Sequence, residues 1–359
     1  MSKSVWVPFS LLKPFVYDAF KSIGVPDRDS VICRDVLLDA DRKGLDTHGV
    51  NRLKPVYYDR VLAGKQRAVT DLEVIREGPT TAVIDANNGM GMVAAYRSME
   101  KAITKAKKYG MGMVVVRNST HYGIAGYYAE MASKQGLLGI TGTNARPSIA
   151  PTFGVEPMLG TNPLTFSFPS DEAFPFTLDC ATSIIQRGKV EVYAREHKPL
   201  KEGLIIDDKG EYMTDPEKTL ESLLTGSASL LPIGGAGEET GGYKGYGYAT
   251  VVEILSSALQ QGFFLRALNG VNLGHFFIAI DVEAFTELDD FKHTTGSILR
   301  ELRSARKVPD AARIYTAGEK EYLTGLERDV KGVPVTAGVQ SELVAIRDEQ
   351  GLNYRFPFE

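Results

Sequence analysis

Residues 111–123, with the sequence MGMVVVRNSTHYG, point most directly to the fold class of this 359-residue chain. The apolar run at 111–117 is typical of a strand that is covered on both faces of a sheet. A helical pattern follows at 124–135, and residues 137–143 have the composition of a second strand. This order of strand, helix and strand predicts a βαβ unit in the middle of the chain.

Outward from this unit the sequence keeps alternating between strand and helix, from about residue 80 to residue 300. Further strands are predicted at 82–85 and 275–281, and further helices at 91–108 and 288–306. A polar insertion at 198–216 is typical of an exposed hairpin. The middle of the chain is therefore expected to form an α/β sheet domain.

Both ends of the chain are helical instead. Three apolar helical patterns fill residues 8–64, and a last helix is predicted to begin near Thr336. We therefore expect two domains. One is a helical domain built from 1–79 with 301–359, and the other is the α/β domain at 80–300.

Composition and charge exclude several classes of protein. The chain has 41 basic and 45 acidic residues, so it lacks the positive field that attracts nucleic acid. No run of eighteen uncharged apolar residues could span a membrane. Residues 1–10 lack the pattern of a secretion signal, and Cys33 and Cys180 are too few for a disulfide framework. These features favour a cytoplasmic location.

His48 and Arg52 are the first candidates for chemistry. Their spacing of four would place an imidazole and a guanidinium on one face of a helix. Arginine binds carboxylates through two hydrogen bonds, and an imidazole exchanges protons near neutral pH. The pair therefore suits a small acid with a carbonyl or hydroxyl group, although a surface ion pair and a capping histidine would give the same spacing.

The ends of the two predicted central strands supply further candidates. His121 follows the first strand, where α/β sheets place their ligands. Asn144 and Ala145 follow the second strand and share this edge if the two strands are parallel. A histidine held in a turn and an ordinary Asx turn are the alternative interpretations.

Two more segments could meet a phosphate or a cofactor. Residues 241–247, GGYKGYG, precede a helix predicted at 248–261, so backbone amides and Lys244 could bind an anion there; a flexible linker is the alternative. Asp179 and Thr182 end a strand, where they could meet a cofactor or cap the following helix. No G-x-G-x-x-G fingerprint, phosphate-binding loop or nucleophile elbow is present.

The five histidines lack the spacings of a metal site, so we expect no metal. His197, His275 and His293 are interpreted as structural or surface residues.

Seven blocks together resemble the type-2 malate/L-lactate dehydrogenase family, also called sulfolactate dehydrogenase-like, which includes ureidoglycolate dehydrogenase and diketogulonate reductase. The resemblance covers nearly the whole chain. The blocks are DTHGVNRL at 46–53, NSTHYG at 118–123, TNARP at 143–147, GTNP at 160–163, DCATS at 179–183, YKGYG at 243–247 and HFFIAID at 275–281.

This resemblance implies a homodimeric oxidoreductase that moves a hydride between NAD or NADP and C2 of a small 2-oxo or 2-hydroxy acid. It also implies an unusual, non-Rossmann α/β fold with a mixed sheet, whose 80–300 domain binds cofactor and substrate. The missing G-x-G-x-x-G fingerprint is consistent with that fold. A malate or lactate type of substrate is expected, with a cyclic imino acid such as piperideine-2-carboxylate as the alternative. A non-catalytic dimer that binds a nucleotide or an acid is a further alternative.

The resemblance also assigns roles to single residues. Arg52, beside Thr47, would hold the substrate carboxylate, and both His48 and His121 match histidines that could donate the proton. We favour His121 as the donor, with His48 orienting the substrate. The residues implied to line the cofactor are Asn144, Ala145, Asp179, Cys180, Ala181, Thr182, Ser183, Lys244, Gly245, Gly318 and Glu319.

Two residues depart from the family pattern. Thr47 stands where the family commonly has serine, and Cys180 stands where an apolar residue, often methionine, is common.

Overall fold

Eleven strands and eleven α-helices make up the computed structural model, which describes residues 4–359. Residues 1–3, part of the N-terminal segment that favours a cytoplasmic location, lie outside the described residues. The strands are β1 (Val5–Val7), β2 (Glu73–Glu77), β3 (Thr81–Asp85), β4 (Met111–Ser119), β5 (Leu137–Thr143), β6 (Leu164–Phe168), β7 (Phe176–Cys180), β8 (Ile205–Asp207), β9 (Ala228–Leu230), β10 (Leu273–Asp281) and β11 (Val333–Val335). The helices are α1 (Phe9–Ser22), α2 (Asp27–Arg42), α3 (Asp59–Leu62), α4 (Gly91–Tyr109), α5 (Ala125–Ser133), α6 (Arg187–Arg195), α7 (Pro216–Thr225), α8 (Gly242–Leu255), α9 (Leu288–Ser304), α10 (Glu319–Lys331) and α11 (Ala337–Glu349).

The central sheet has seven strands in the order β2-β3-β4-β10-β5-β6-β7. It is mixed, because β3 and β4 are parallel whereas β10 is antiparallel to both β4 and β5. The mixed α/β fold class expected from the sequence is confirmed. The predicted βαβ unit is correct in its elements and in the shared direction of β4 and β5. It is wrong as a contiguous pair, because the apolar strand β10 lies between them.

One edge of this sheet collects the loops of interest. His275, near the start of β10, pairs with Val116 near the end of β4 and with Thr143 at the end of β5. The segments that follow β4 and β5 therefore leave the sheet at the same edge. This topology brings the His121 loop and the Asn144 loop to one side of the molecule.

The two ends of the chain meet in the small sheet of β1 and β11. Helices α1 and α2 pack on each other, and apolar residues such as Phe15 and Phe356 share one buried cluster with Val114 of the central sheet. The helical ends therefore pack directly on the sheet. The proposed division into 1–79 with 301–359 and 80–300 stays a prediction.

The hairpin predicted at 198–216 forms as part of a small α/β unit, residues 187–230. Its turn closes around 208–211, where Asp207 N donates to the Glu211 carbonyl oxygen and Met213 N donates to the Ile205 carbonyl oxygen, both at 3.0 Å, and β8 also pairs with β9. Leu200 and Ile205 are buried in an apolar cluster that also contains Ile149. The prediction is therefore correct in the hairpin and wrong in its exposure, because apolar residues alternate with the polar ones and face this cluster.

Helix α8 begins at Gly242, six residues before the predicted start. Its glycines are helical residues that allow close packing: a Cβ at Gly245 would lie 2.3 Å from the carbonyl oxygen of Ile233. Part of the glycine-rich run at 241–247 is therefore the packed face of α8 and not a flexible linker. Within residues 4–359, none of the helices is both long and apolar enough to cross a membrane.

Candidate active site

The loop at 46–52 is built as a tight turn and not as the helix expected from the spacing of His48 and Arg52. A single 3₁₀ turn, Val50–Arg52, leads into a π-helical segment, Leu53–Tyr58. His48 lies in the turn before it. The two side chains still reach one cavity, because the loop folds back on α2.

Asp41 near the end of α2 anchors this loop from beneath. Its buried carboxylate accepts a hydrogen bond from the backbone N–H of Val50 at 2.9 Å. Burial raises the pKa of Asp41 well above its usual value. From α10, Arg328 donates to the Asp41 carbonyl oxygen and to the carboxylate of Asp46. Helices α2 and α10 therefore fix the backbone that carries His48 and Arg52.

Gly49 is required by this anchor. A Cβ at Gly49 would lie 1.8 Å from Asp41 Oδ1. We expect Gly49→Ala to destabilise the protein by about 1–3 kcal/mol, as overpacking of a filled interior does. It should also lower activity, because the loop must move. Urea unfolding measures the effect, with Gly338→Ala as the control, since a Cβ there meets nothing within 4 Å. Equal stability of both variants would contradict this role of Gly49.

Arg52 and His48 are both held by Thr47. The Thr47 hydroxyl lies 2.8 Å from His48 Nδ1, and Arg52 Nε donates to the Thr47 carbonyl oxygen at 2.6 Å. Within residues 4–359 the terminal nitrogens of Arg52 have no hydrogen-bond partner, so they are available to a ligand. An arginine held only through Nε presents its remaining N–H groups in a geometry that suits a carboxylate.

His121 follows the end of β4 and faces the same loop. Its Nδ1 lies 2.6 Å from the Tyr57 hydroxyl and 3.3 Å from the backbone nitrogen of Gly123. Its ring stacks on that of His48, with centroids 5.8 Å apart and planes 22° apart. The structure therefore brings together both predicted histidines and Arg52, although they come from distant parts of the chain.

Both histidines are uncharged at neutral pH. Burial, with a smaller contribution from the Arg52 guanidinium, lowers the pKa of His48 to about 4. Burial and the neighbouring His48 and Arg52 lower the pKa of His121 well below its usual value. A neutral imidazole is the form that accepts a proton from a hydroxyl group.

A cavity of about 230 Å³ adjoins these side chains. Thr47, His48 and Arg52 line it from the loop, Asp179 and Ala181 from the end of β7, and residues 186–188 from the start of α6. It is large enough for several atoms beyond water and carries basic, imidazole and carboxyl groups together. Such a cavity with a few convergent polar groups is the expected form of a small-molecule site.

Residues 179–183 form the floor beside this cavity. Asp179 accepts hydrogen bonds from Gly126 N at 2.7 Å and from Thr165 Oγ1 at 2.9 Å, so it caps α5 and not the helix that follows it. Thr182 Oγ1 donates to the carbonyl oxygens of Thr161 and Asn162. These bonds hold the segment in one conformation.

Ser183 differs from its neighbours. Its hydroxyl is buried and has no hydrogen-bond partner within residues 4–359. An unpaired buried hydroxyl is costly unless a ligand completes it. A polar group of a bound cofactor would complete this hydroxyl, and that contact stays a prediction. Cys180, beside it, is a partly buried free thiol whose pKa is raised by burial.

The glycine-rich segment at 241–247 is connected to residues 179–183 through Ile233. Gly245 in α8 packs on Ile233, and Ile233 N donates to the Thr182 carbonyl oxygen at 2.9 Å. Lys244 is exposed in the first turn of α8. Gly245 therefore lies near residues 179–183, and a contact of Lys244 or Gly245 with a cofactor stays a prediction.

The other predicted cofactor residues lie outside the cavity. Asn144 is fully buried, and its side-chain amide bonds the backbone of Phe263 and Gly274. Ala145 N donates to Asn162 at 3.2 Å. These bonds support the end of β5, and a direct contact of either residue with a cofactor stays a prediction.

Gly318 and Glu319 lie at the start of α10, beside the beginning of β7. A Cβ at Gly318 would lie 2.9 Å from the Pro175 carbonyl oxygen, and its φ of +90° favours glycine. The Glu319 carboxylate pairs with Arg303 and Arg313. Its observed partners are therefore within the protein, and a cofactor contact stays a prediction.

The remaining histidines do not line this cavity, although His275 lies close enough to His121 to help lower its pKa. His275 is fully buried, stacks on Tyr122 with centroids 4.5 Å apart, and bonds Thr143 Oγ1 at 2.7 Å. His197 and His293 are exposed. Among residues 4–359 no group of three His, Cys, Asp or Glu side chains could hold a metal ion.

Sequence reasoning missed Asp41, Tyr57, Arg187 and Arg328. Tyr57 has the spacing of an apolar residue on a helix face, and that spacing gives no sign that its hydroxyl contacts His121. Arg328 is almost three hundred positions from Asp41 and Asp46 in the sequence, so no local pattern connects them. Arg187 follows the DCATS block by only four residues, but nothing in its own neighbourhood distinguishes it from a surface arginine.

A sequence model of the malate/L-lactate dehydrogenase family matches residues 7–344. The chain belongs to this family. It is 43% identical to a malate dehydrogenase of Pyrococcus horikoshii, over 96% of each chain, and 36% identical to an L-sulfolactate dehydrogenase of Methanocaldococcus jannaschii, over 95% of this chain and 96% of that one. The crystal structure of malate dehydrogenase from Entamoeba histolytica superposes with a TM-score of 0.96 at 44% identity, covering 98% of this chain and 100% of that one.

These relatives confirm the resemblance drawn from the seven blocks. The chain is an oxidoreductase of the 2-hydroxy acid dehydrogenase type. The family includes enzymes whose names specify NADP(+), such as a (2R)-3-sulfolactate dehydrogenase of Chromohalobacter salexigens, 31% identical over 75% of this chain and 79% of its own. It also includes enzymes whose names specify NAD(+), such as a ureidoglycolate dehydrogenase of Escherichia coli, 27% identical over 90% of both chains.

Proposed function

We propose that the protein interconverts malate and oxaloacetate, using NAD or NADP as the hydride carrier. One observation carries the proposal: the unpaired end of Arg52 and the neutral ring of His48 line one cavity, and the neutral ring of His121 stacks on His48. The malate dehydrogenases among the similar proteins favour this substrate over lactate. Such a site can hold a carboxylate and move a proton at the adjacent carbon.

Arg52 binds the C1 carboxylate through its two terminal nitrogens, and Thr47 and His48 position it. This fixes the orientation of C2, which is a large part of the rate enhancement in a two-substrate reaction. Ser183 supplies a free hydroxyl to the cofactor, on the floor that Asp179, Ala181 and Thr182 form. The bound nicotinamide supplies the hydride to C2 in reduction and accepts it in oxidation.

His121 moves the proton. During oxidation its neutral ring accepts the proton of the 2-hydroxyl group, and during reduction the imidazolium donates a proton to the developing alkoxide. Nε2 is the atom that exchanges this proton. Nδ1 therefore keeps its own hydrogen in both protonation states and donates it to the Tyr57 hydroxyl oxygen, 2.6 Å away, so the contact of Gly123 N at 3.3 Å is not a hydrogen bond in the reacting form. His48, stacked on His121, orients the substrate.

The low pKa values of His48 and His121 predict different pH profiles for malate oxidation and oxaloacetate reduction. Oxidation requires neutral imidazole, so kcat/KM for malate should stay level between about pH 6 and pH 8. Reduction requires imidazolium, whose fraction falls about tenfold per pH unit above the pKa, so kcat/KM for oxaloacetate should fall steeply over that range. Initial rates at saturating cofactor measure both. A level profile for reduction would contradict a neutral resting state of His121.

A second copy of the chain is proposed to cover α8. Tyr248, Val251 and Ile254 are each about half exposed on this helix, and Phe263 and Phe264 continue the apolar surface. A helix with apolar residues on all sides is normally buried. We expect Ile254→Arg to shift the protein from dimer to monomer in light-scattering chromatography, whereas Val330→Arg on exposed α10 should leave it unchanged. A monomeric parent protein, or a dimer that persists in Ile254→Arg, would contradict this interface.

We propose a cytoplasmic location as well.

The absorbance change of NADH and NADPH tests the function as a whole. The substrates to compare are oxaloacetate, pyruvate, sulfopyruvate, diketogulonate and piperideine-2-carboxylate. Turnover of oxaloacetate with either cofactor supports the proposal and identifies the preferred cofactor. Turnover of the cyclic imine alone would favour an imino acid reductase, and binding without any turnover would favour a non-catalytic binding protein.

A further inference from the structure

We infer that Arg187 binds the second acid group of the substrate, which makes the site selective for dianionic 2-hydroxy acids over lactate. This rests on the proposed function. The second group would be a carboxylate or a sulfonate at C3 of the substrate, since both present the same anionic oxygens to a guanidinium.

Arg187 reaches the substrate cavity from a different segment than Arg52. Arg52 lines the cavity from the loop after α2, and Arg187 lines it from the first residue of α6. The two segments touch: a Cβ at Gly188 would lie 2.9 Å from Thr47 Cγ2. Two guanidinium groups therefore serve one small cavity from separate parts of the chain.

The positive charge of Arg187 is poorly balanced by the protein. Its ion-pair partner is Glu191, at 3.3 Å, and both side chains are about 40% exposed. Exposed pairs of this kind contribute little. Arg187 also stands at the N-terminal end of α6, where a cation is unfavourable next to the helix dipole. A bound anion would relieve both effects.

No acid in the cavity wall is free to neutralise the two arginines. Asp179 is the acidic residue among the described side chains that line the cavity, and its two oxygens already accept bonds from Gly126 and Thr165. A substrate with two negative groups therefore matches Arg52 and Arg187, whereas a monoacid leaves one guanidinium without a partner.

Arg187→Met tests this inference because methionine keeps much of the length and removes the charge. We expect kcat/KM for oxaloacetate and for sulfopyruvate to fall about 10- to 100-fold, as for loss of a hydrogen bond between charged groups, while pyruvate changes less than about twofold. Arg187→Lys should recover part of the loss, because lysine restores the charge without the planar fork. Comparing oxaloacetate with sulfopyruvate shows which acid group the site prefers.

Lys189→Met is the matched control, since Lys189 is an exposed cation on the same helix and does not line the cavity. It should leave the preference unchanged. Equal losses for oxaloacetate and pyruvate, or a raised KM for the cofactor alone, would overturn the assignment of Arg187. Calorimetry with malate and lactate gives the same comparison without turnover: Arg187→Met should weaken malate binding only. If no 2-oxo acid is turned over by the parent protein, the proposed function fails, and this binding test still decides the role of Arg187.

Discussion

Replacing His121 by alanine is expected to lower kcat by about 10²- to 10⁴-fold, because the reaction then lacks its proton donor and acceptor. The Kd of NADH or NADPH should change little, since His121 contacts Tyr57 and Gly123 and is not among the residues proposed to line the cofactor. Steady-state kinetics and fluorescence titration of the reduced cofactor measure the two quantities.

His48→Ala is the discriminating comparison for this prediction. Because His48 is expected to orient the substrate, its loss should act mainly on KM. His293→Ala, at an exposed position far from the cavity, serves as the control for altered histidine content. If His48→Ala lowers kcat by the larger factor and His121→Ala does not, the roles of the two histidines are reversed.

Replacing Arg52 by lysine is expected to raise KM for oxaloacetate by about 10- to 100-fold, with kcat also lowered. An ammonium keeps the charge, but it cannot form two parallel bonds to a carboxylate, and it cannot keep the bond from Nε to the Thr47 carbonyl oxygen in the same geometry. The substrate is then bound more weakly and C2 is aimed less well.

Arg76→Lys on the exposed strand β2 is the control for arginine replacement outside the site. Its KM and kcat should equal those of the parent protein. An unchanged KM in Arg52→Lys would remove Arg52 from carboxylate binding and leave Arg187 as the cationic group to examine first.

Local sequence patterns were sufficient to predict the main elements. The apolar run at 111–116 became part of strand β4, and the next two elements became α5 and β5 at nearly their predicted bounds. The insertion of β10 between β4 and β5 could not be predicted, because it is set by contacts between residues more than a hundred positions apart. Periodicity reports which face of an element is buried, not which element covers it.

The candidate site was likewise predictable where the pattern is local and unpredictable where it depends on distant contacts. The 46–53 block predicted that His48 and Arg52 act together, which the structure supports by a tight turn instead of the expected helix. Asp41 and Arg328, which hold that turn, could not be predicted. The contact of the Asp41 carboxylate with the loop at Gly49 and the contact of Arg328 from α10 depend on the tertiary fold and produce no pattern in the local sequence. Asn144 shows the limit of a strand-end position, which left a ligand contact and an ordinary turn both open; its amide bonds the backbone of Phe263 and Gly274.

The most direct test of the proposed reaction follows a labelled hydride from the cofactor to the product. The reduced nicotinamide carries deuterium at the transferred position of C4, oxaloacetate is the substrate, and the malate formed is examined by proton NMR and mass spectrometry. We predict one deuterium at C2 of malate for each cofactor oxidised, with a strong loss of this product in His121→Ala. Malate without deuterium at C2, or cofactor oxidation without malate, would contradict hydride transfer to C2 of oxaloacetate.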